Sequence, residues 1–155
     1  DYMGGVKSAL SKTWYNKYKD EEVMKILNKN LLNFFRRYCT DKSELHMWTT
    51  FKIYQPKLKG KGYTKGFVPC TSRSTNQYSS RVNCAYTINR YLNPFYKNFF
   101  NQRGISINED KFALSEMLQW IWRSAIRNDE PINLYIPSER MRTLLIEFLE
   151  SGTSK

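Results

Sequence analysis

Segment 113–127, ALSEMLQWIWRSAIR, brings Gln119, Arg123 and Arg127 into a repeat of four positions. On an uninterrupted helix this spacing drifts by only about 40° per step, so the three side chains share one edge. An amide and two guanidinium groups on one edge suit a site that meets a phosphoryl group from across a cleft. The guanidinium keeps its charge and offers forked donors to phosphate oxygens. The same spacing also describes an amphipathic helix whose outer face carries two arginines, and spacing leaves both readings open. Trp120 and Trp122 fall on different faces of such a helix, one suited to a core and the other to an interface.

Other chemistry is poorly served. No GxxxxGK[ST] string is present, and Gly60-Lys61-Gly62-Tyr63-Thr64 lacks the spacing of a phosphate cradle. The chain is therefore expected not to hydrolyse ATP on its own. Three cysteines (Cys39, Cys70, Cys84) at wide spacings and one histidine (His46) do not provide the paired ligands of a zinc site, and no metal is expected. Buried, reduced thiols are expected instead of a disulfide framework.

Charge is the strongest compositional signal. The 155 residues carry a formal net charge of +11. Residues 45–108 hold ten basic side chains and no carboxylate, whereas residues 109–155 hold six basic and eight acidic ones. Ordinary surfaces mix signs, and a block of one sign attracts polyanions, of which phosphate backbones are the usual kind. Lys52, Lys57, Lys59, Lys61, Lys65, Arg73 and Arg81 are the candidate phosphate contacts, with DNA as the favoured partner. The block also contains twelve aromatic residues. Aromatics beside cations suit single-strand stacking, although most of these lie in runs typical of a core.

The elements that must position these residues can be read coarsely. Asp20 is placed to cap a helix reaching about Cys39, with Met24, Leu27, Leu31, Phe34, Phe35 and Tyr38 on one face. Arg36 and Arg37 sit where the helix dipole favours cations. Segments 47–54, 63–70, 82–89 and 132–136 have strand character, the third with helix start as the alternative. Asn93-Pro94 opens a helix through Gln102, and Gly104 stops it. Asn108 or Asp110 caps a helix to Arg127, with Leu114, Leu118, Ile121, Trp122 and Ala125 as its apolar stripe. Ser138 caps a last helix that ends at Gly152. Arg140 and Arg142 are expected to be surface ion-pair partners. Strands alternating with helices predict an α/β layered domain with a mostly parallel sheet flanked by helices.

The string Q-x-x-x-R-x-x-x-R at Gln119, Arg123 and Arg127 resembles the closing motif of superfamily 2 helicases, Q-x-x-G-R-x-x-R. Trp122 stands where that motif has Gly, and the second Arg comes one residue late. MWTTFK resembles the strand that opens the second RecA-like lobe. KGFVPCTSRSTNQYSSR resembles a strand followed by a nucleic-acid-contacting loop. The closing segment is similar to helicase-like proteins of phages and plasmids. The resemblance implies a RecA-like second motor lobe, with Arg123 as an arginine finger and Gln119 and Arg127 beside it. It also implies that Thr71, Ser72, Arg73, Thr75 and Asn76 contact nucleic acid. ATP and Mg would enter only with a first lobe, supplied in cis or in trans.

The expected organisation is a lead-in at 1–20, one α/β domain at 21–152 and a tail at 153–155. The chain opens on Asp1, as expected of a processed, trimmed or partial chain. No apolar run approaches the length of a membrane helix and no secretory leader is visible, so a location in the cytoplasm of a bacterial host is expected. The alternative to a motor lobe is a small stand-alone basic protein of a phage or plasmid, one that binds nucleic acid or inhibits a partner without ATP.

Overall fold

The computed structural model describes residues 3–39, 42–72 and 76–152. Its centre is a three-stranded parallel sheet of β1 (His46–Thr49), β2 (Asn83–Tyr86) and β3 (Asn133–Tyr135), in the order β1-β2-β3. His46 stands opposite Asn83, and Asn83 opposite Asn133. Side chains alternate across the pleat, so each strand feeds two cores. Trp48, Ala85 and Tyr135 face one layer; Met47, Cys84, Tyr86, Leu134 and Ile136 face the other.

The first layer consists of α1 (Lys12–Tyr18), α2 (Glu22–Asn33) and the short α3 (Gln55–Leu58), and it is largely aromatic. Tyr15 stacks on Tyr54 with ring centroids 4.9 Å apart, and Phe35 stacks on Tyr63 at 4.8 Å. The second layer consists of α5 (Glu109–Ile121) and α6 (Glu139–Gly152), with α4 (Pro94–Asn101) exposed ahead of them. Trp120 is fully buried there and donates its indole N–H to the Val68 carbonyl at 2.9 Å.

Several expectations need correction. The lead-in belongs to the core: Ala9, Leu10, Trp14 and Tyr15 are buried. Segment 47–54 is a strand only through Thr49, after which 3-10 and α-helical turns begin. Segment 63–70 forms one parallel bridge, Phe67 to Trp48, and not a strand. Gly66 there lies so close to the His46 carbonyl that a Cβ would collide with it. Asp20 does not cap α2; it pairs with Lys57 at 2.7 Å, and Glu21 takes the cap position without a side-chain bond. Asn93, Asn108 and Ser138 do cap their helices: Asn93 Oδ1 accepts from Phe95 N, Asn108 Oδ1 from Asp110 and Lys111 N, and Ser138 Oγ from Met141 N. The buried face of α5 is Ala113, Met117, Trp120 and Ile121, not the stripe through Leu114 and Leu118. The expected tail, 153–155, lies outside the described residues.

Candidate functional site

The Gln119–Arg123–Arg127 edge does not form. α5 ends at Ile121: Arg123 and Ser124 N–H turn back to the Trp120 and Ile121 carbonyls, and Ala125 N–H leaves the helical course to donate to the Arg81 carbonyl at 2.9 Å. Gln119 stays on the helix, exposed, and donates to Ser115 Oγ at 3.2 Å. Arg127 is half-buried in the 3-10 turn Ala125–Asn128. Arg123 is 9% exposed, and its guanidinium meets the carbonyls of Pro69 (3.5 Å), Cys70 (3.3 Å) and Ser72 (2.8 Å). A buried guanidinium on three carbonyls fastens the loop after Val68 to the end of α5.

Arg140 is also held more deeply than expected. Its side chain is 8% exposed and pairs with Asp110 at 2.6 Å. It also donates to Asn89 Oδ1 and the Arg90 carbonyl, and lies 4.3 Å over the Tyr91 ring. Arg142 donates to the Ile136 and Pro137 carbonyls.

Because Phe67 bridges β1 on its outer side, the spatial order 67-β1-β2-β3 reverses between β1 and β2. Open α/β sheets usually take ligands at the carboxyl ends of such a switch point. Here the chain's own residues 7–10 lie there. Asn89 N–H donates to the Leu10 carbonyl, and its side-chain amide to the carbonyls of Lys7 and Ala9. Tyr15 OH reaches the Thr87 carbonyl at 2.7 Å. None of the three cysteines is in a disulfide. Burial pushes the Cys70 thiol up and that of Cys84 up to about 12, so both stay protonated near neutral pH.

The candidate phosphate contacts separate into three groups. Lys57 is paired with Asp20, and Arg81 donates to the Glu44 and His46 carbonyls. Lys52, Lys59, Lys61, Lys65 and Asn76 are exposed, although Lys52 stands at the carboxyl end of β1, away from Lys61. Arg73 and Thr75 lie outside the described residues.

At the amino end of β1, Lys61 meets a residue not chosen from the sequence, Arg36. The two line a hollow of about 270 Å³ with Phe35, Cys39, Ser43, His46 and Gly62. Buried His46 forms its floor, with Nδ1 3.0 Å from the Gly62 carbonyl and its ring against Phe35. α2 passes directly into one π-helical turn, Phe34–Tyr38, that turns Arg36, Arg37 and Tyr38 outward. Tyr38 is 80% exposed, unusual for an aromatic side chain. The available signal was the Arg36-Arg37-Tyr38 string at the end of an apolar helical face. Taken alone, that string carries only the helix-dipole preference for cations.

The chain belongs to the family of the YonV C-terminal Rossmann-like domain, whose model matches residues 1–149. It is 52% identical over 143 residues to the SPbeta prophage-derived uncharacterized protein YonV of Bacillus subtilis (strain 168). That alignment covers 92% of this chain and 34% of the relative, so the chain spans about a third of the relative's length. No solved structure matches it. The expected α/β layered domain with a parallel sheet stands, as a Rossmann-like domain similar to part of a prophage-derived protein. Nothing in these matches extends to a helicase motor lobe. Among the described residues, no helix is long and apolar enough to cross a membrane.

Proposed function

We propose that this Rossmann-like domain binds nucleic acid, DNA in the first instance, at the amino end of β1. The observation that carries this reading is the π-helical turn of α2, which exposes Arg36, Arg37 and Tyr38 and sets Arg36 in one hollow with Lys61. Cations bind the phosphates and an outward tyrosine offers a stacking face for an unpaired base, the combination that single-strand binders use. Lys59 and Lys65, on either side of Lys61 in the chain, are exposed as well. π-Helical turns are frequent at functional sites.

Arg123 takes a different role in this reading from the one the helicase motif implies. An arginine finger must be free to reach phosphate, and Arg123 is occupied by the carbonyls of Pro69, Cys70 and Ser72. The reading therefore needs neither ATP nor a first motor lobe. Fluorescence anisotropy of a labelled single-stranded oligonucleotide tests it. Binding at low salt is expected, with log affinity falling by about 0.7 per log salt for each phosphate neutralised. Reversing both cations, Arg36→Glu with Lys61→Glu, is expected to abolish binding while the fold persists. Equal affinity in that variant would locate any binding elsewhere.

A further inference from the structure

The edge of the sheet opposite Phe67 is open. Among the described residues β3 pairs only with β2, and Asn133 N–H donates inward to the Val82 carbonyl at 2.7 Å. Successive residues of a strand point their N–H and C=O to opposite sides, so those of Leu134 face outward. Beside this edge, on the α5–α6 side, runs an apolar groove of about 790 Å³ floored by Ile121, Leu134 and Leu145. Trp122, Phe148 and Leu149 stand around it and are 60%, 46% and 57% exposed. Three large apolar side chains beside an unpaired strand mark an interaction surface.

We infer that this edge pairs with the same edge of a second copy, β3 antiparallel to β3 across a twofold axis at Leu134. Pro131 and Pro137 bracket the strand, and proline cannot donate to a ladder, so pairing is confined to the residues between them. That short window centres on Leu134. Each Leu134 would exchange its outward N–H and C=O with its counterpart, as opposed residues of an antiparallel ladder do. A twofold axis makes the surface complementary to itself, as an isologous interface requires, and brings the two apolar grooves side by side.

The charges at the two ends of the strand select a second copy over an unrelated apolar segment. Exposed Asp129 and Glu130 precede β3, and exposed Arg142 lies at its far end on the Ile136 and Pro137 carbonyls. Antiparallel pairing about Leu134 sets Glu130 opposite the Ser138 position of the second copy, next to that copy's Arg142. Glu139 lines a different hollow with Lys7 and Arg140, away from this contact. A second hollow lies on the α2 side of β3, where Asn30, Asn33, Arg37 and Tyr38 meet the strand.

Sedimentation equilibrium of the 155-residue chain over a range of concentrations tests the pairing, with thermal unfolding of each variant as the control for folding. A monomer–dimer equilibrium in the micromolar range is expected. Trp122→Glu, at an exposed site, is expected to weaken it strongly. Glu130→Arg and Arg142→Glu are each expected to weaken it about tenfold, and together to restore it, because both partners of the cross-pair are then exchanged. A chain that stays monomeric at every concentration overturns the inference. So does a dimer indifferent to Trp122→Glu, or a double reversal no better than either single one.

Discussion

The two edges of the sheet are treated in opposite ways. At the β1 edge the chain covers its own strand: Phe67 bridges Trp48, and Val68 N–H donates to the Trp48 carbonyl at 2.9 Å. Around the amino end of that edge lie cations, Arg36 and Lys61 among them. At the β3 edge, among the described residues, nothing pairs with the outer side of the strand, and an apolar groove lies beside it. A covered strand with a charged rim suits a polyanion, which needs no sheet hydrogen bonds. An open strand with an apolar groove suits a protein partner, which supplies them. The difference teaches that parallel strands of one sheet can present unlike chemistry when the chain covers only one of the two edges.

The largest effect is expected where the β1 edge is closed. A Cβ at Gly66 would meet the His46 backbone carbonyl, and backbone cannot swing aside as a long side chain can. Gly66→Ala is expected to cost about 2–4 kcal/mol in urea unfolding. Unchanged stability would mean that the 66–68 segment is not clamped against β1, and the contrast between the edges would fail.

Arg123 links the two regions, since it holds the 69–72 loop and also lines the apolar groove. Arg123→Ala leaves buried carbonyls unsatisfied and is expected to cost about 2–3 kcal/mol. Arg123→Lys recovers only part, because an ammonium group lacks the planar fork. Faster reaction of Cys70 with a disulfide reagent is the local sign of an opened loop. A variant of full stability with an unreactive Cys70 would return Arg123 to the list of free guanidinium groups.

A smaller, graded effect is expected with alkali. Burial raises the phenols of Tyr15, Tyr63, Tyr86 and Tyr135 above the ordinary 10.0 and the thiols of Cys70 and Cys84 above 9.0. The folded state therefore holds these protons more tightly than the unfolded chain. Stability is fully present below pH 9 and falls as pH climbs through the thiol and phenol range. Both cores contain such groups, so the melting temperature should fall in one cooperative transition. Separate transitions would show that the two layers unfold independently.

Much of this architecture is legible in the sequence. The alternation of strand-like and helical segments gives the parallel α/β sheet, and Asn93, Asn108 and Ser138 mark their helix starts through cap chemistry that acts over three residues. What the sequence hides is decided at long range. α5 ends at Ile121 in a tightened turn at Arg123 and Ser124, and the Ala125-to-Arg81 bond, invisible in the sequence, then draws the chain away, so the three-residue phosphate edge disappears. Residues 3–11 look like a loose lead-in because they lack periodicity, yet buried Leu10, with its left-handed backbone (φ 64°), offers its carbonyl to Asn89. The candidate site was half visible. Lys61 stood out by charge, whereas Arg36 becomes its neighbour only once α2 is laid against β1.

The most direct test of nucleic-acid binding at the amino end of β1 compares the two edges in one titration. Anisotropy of a labelled single strand is followed against salt for the unaltered chain, for Arg36→Glu with Lys61→Glu, and for Arg142→Glu beside β3. The account predicts a steep salt dependence in the unaltered chain and in Arg142→Glu, and loss of binding in the double variant; any binding that remains should have a slope shallower by about 1.4, the share of two phosphates. Equal losses in both variants, or none in either, would contradict it.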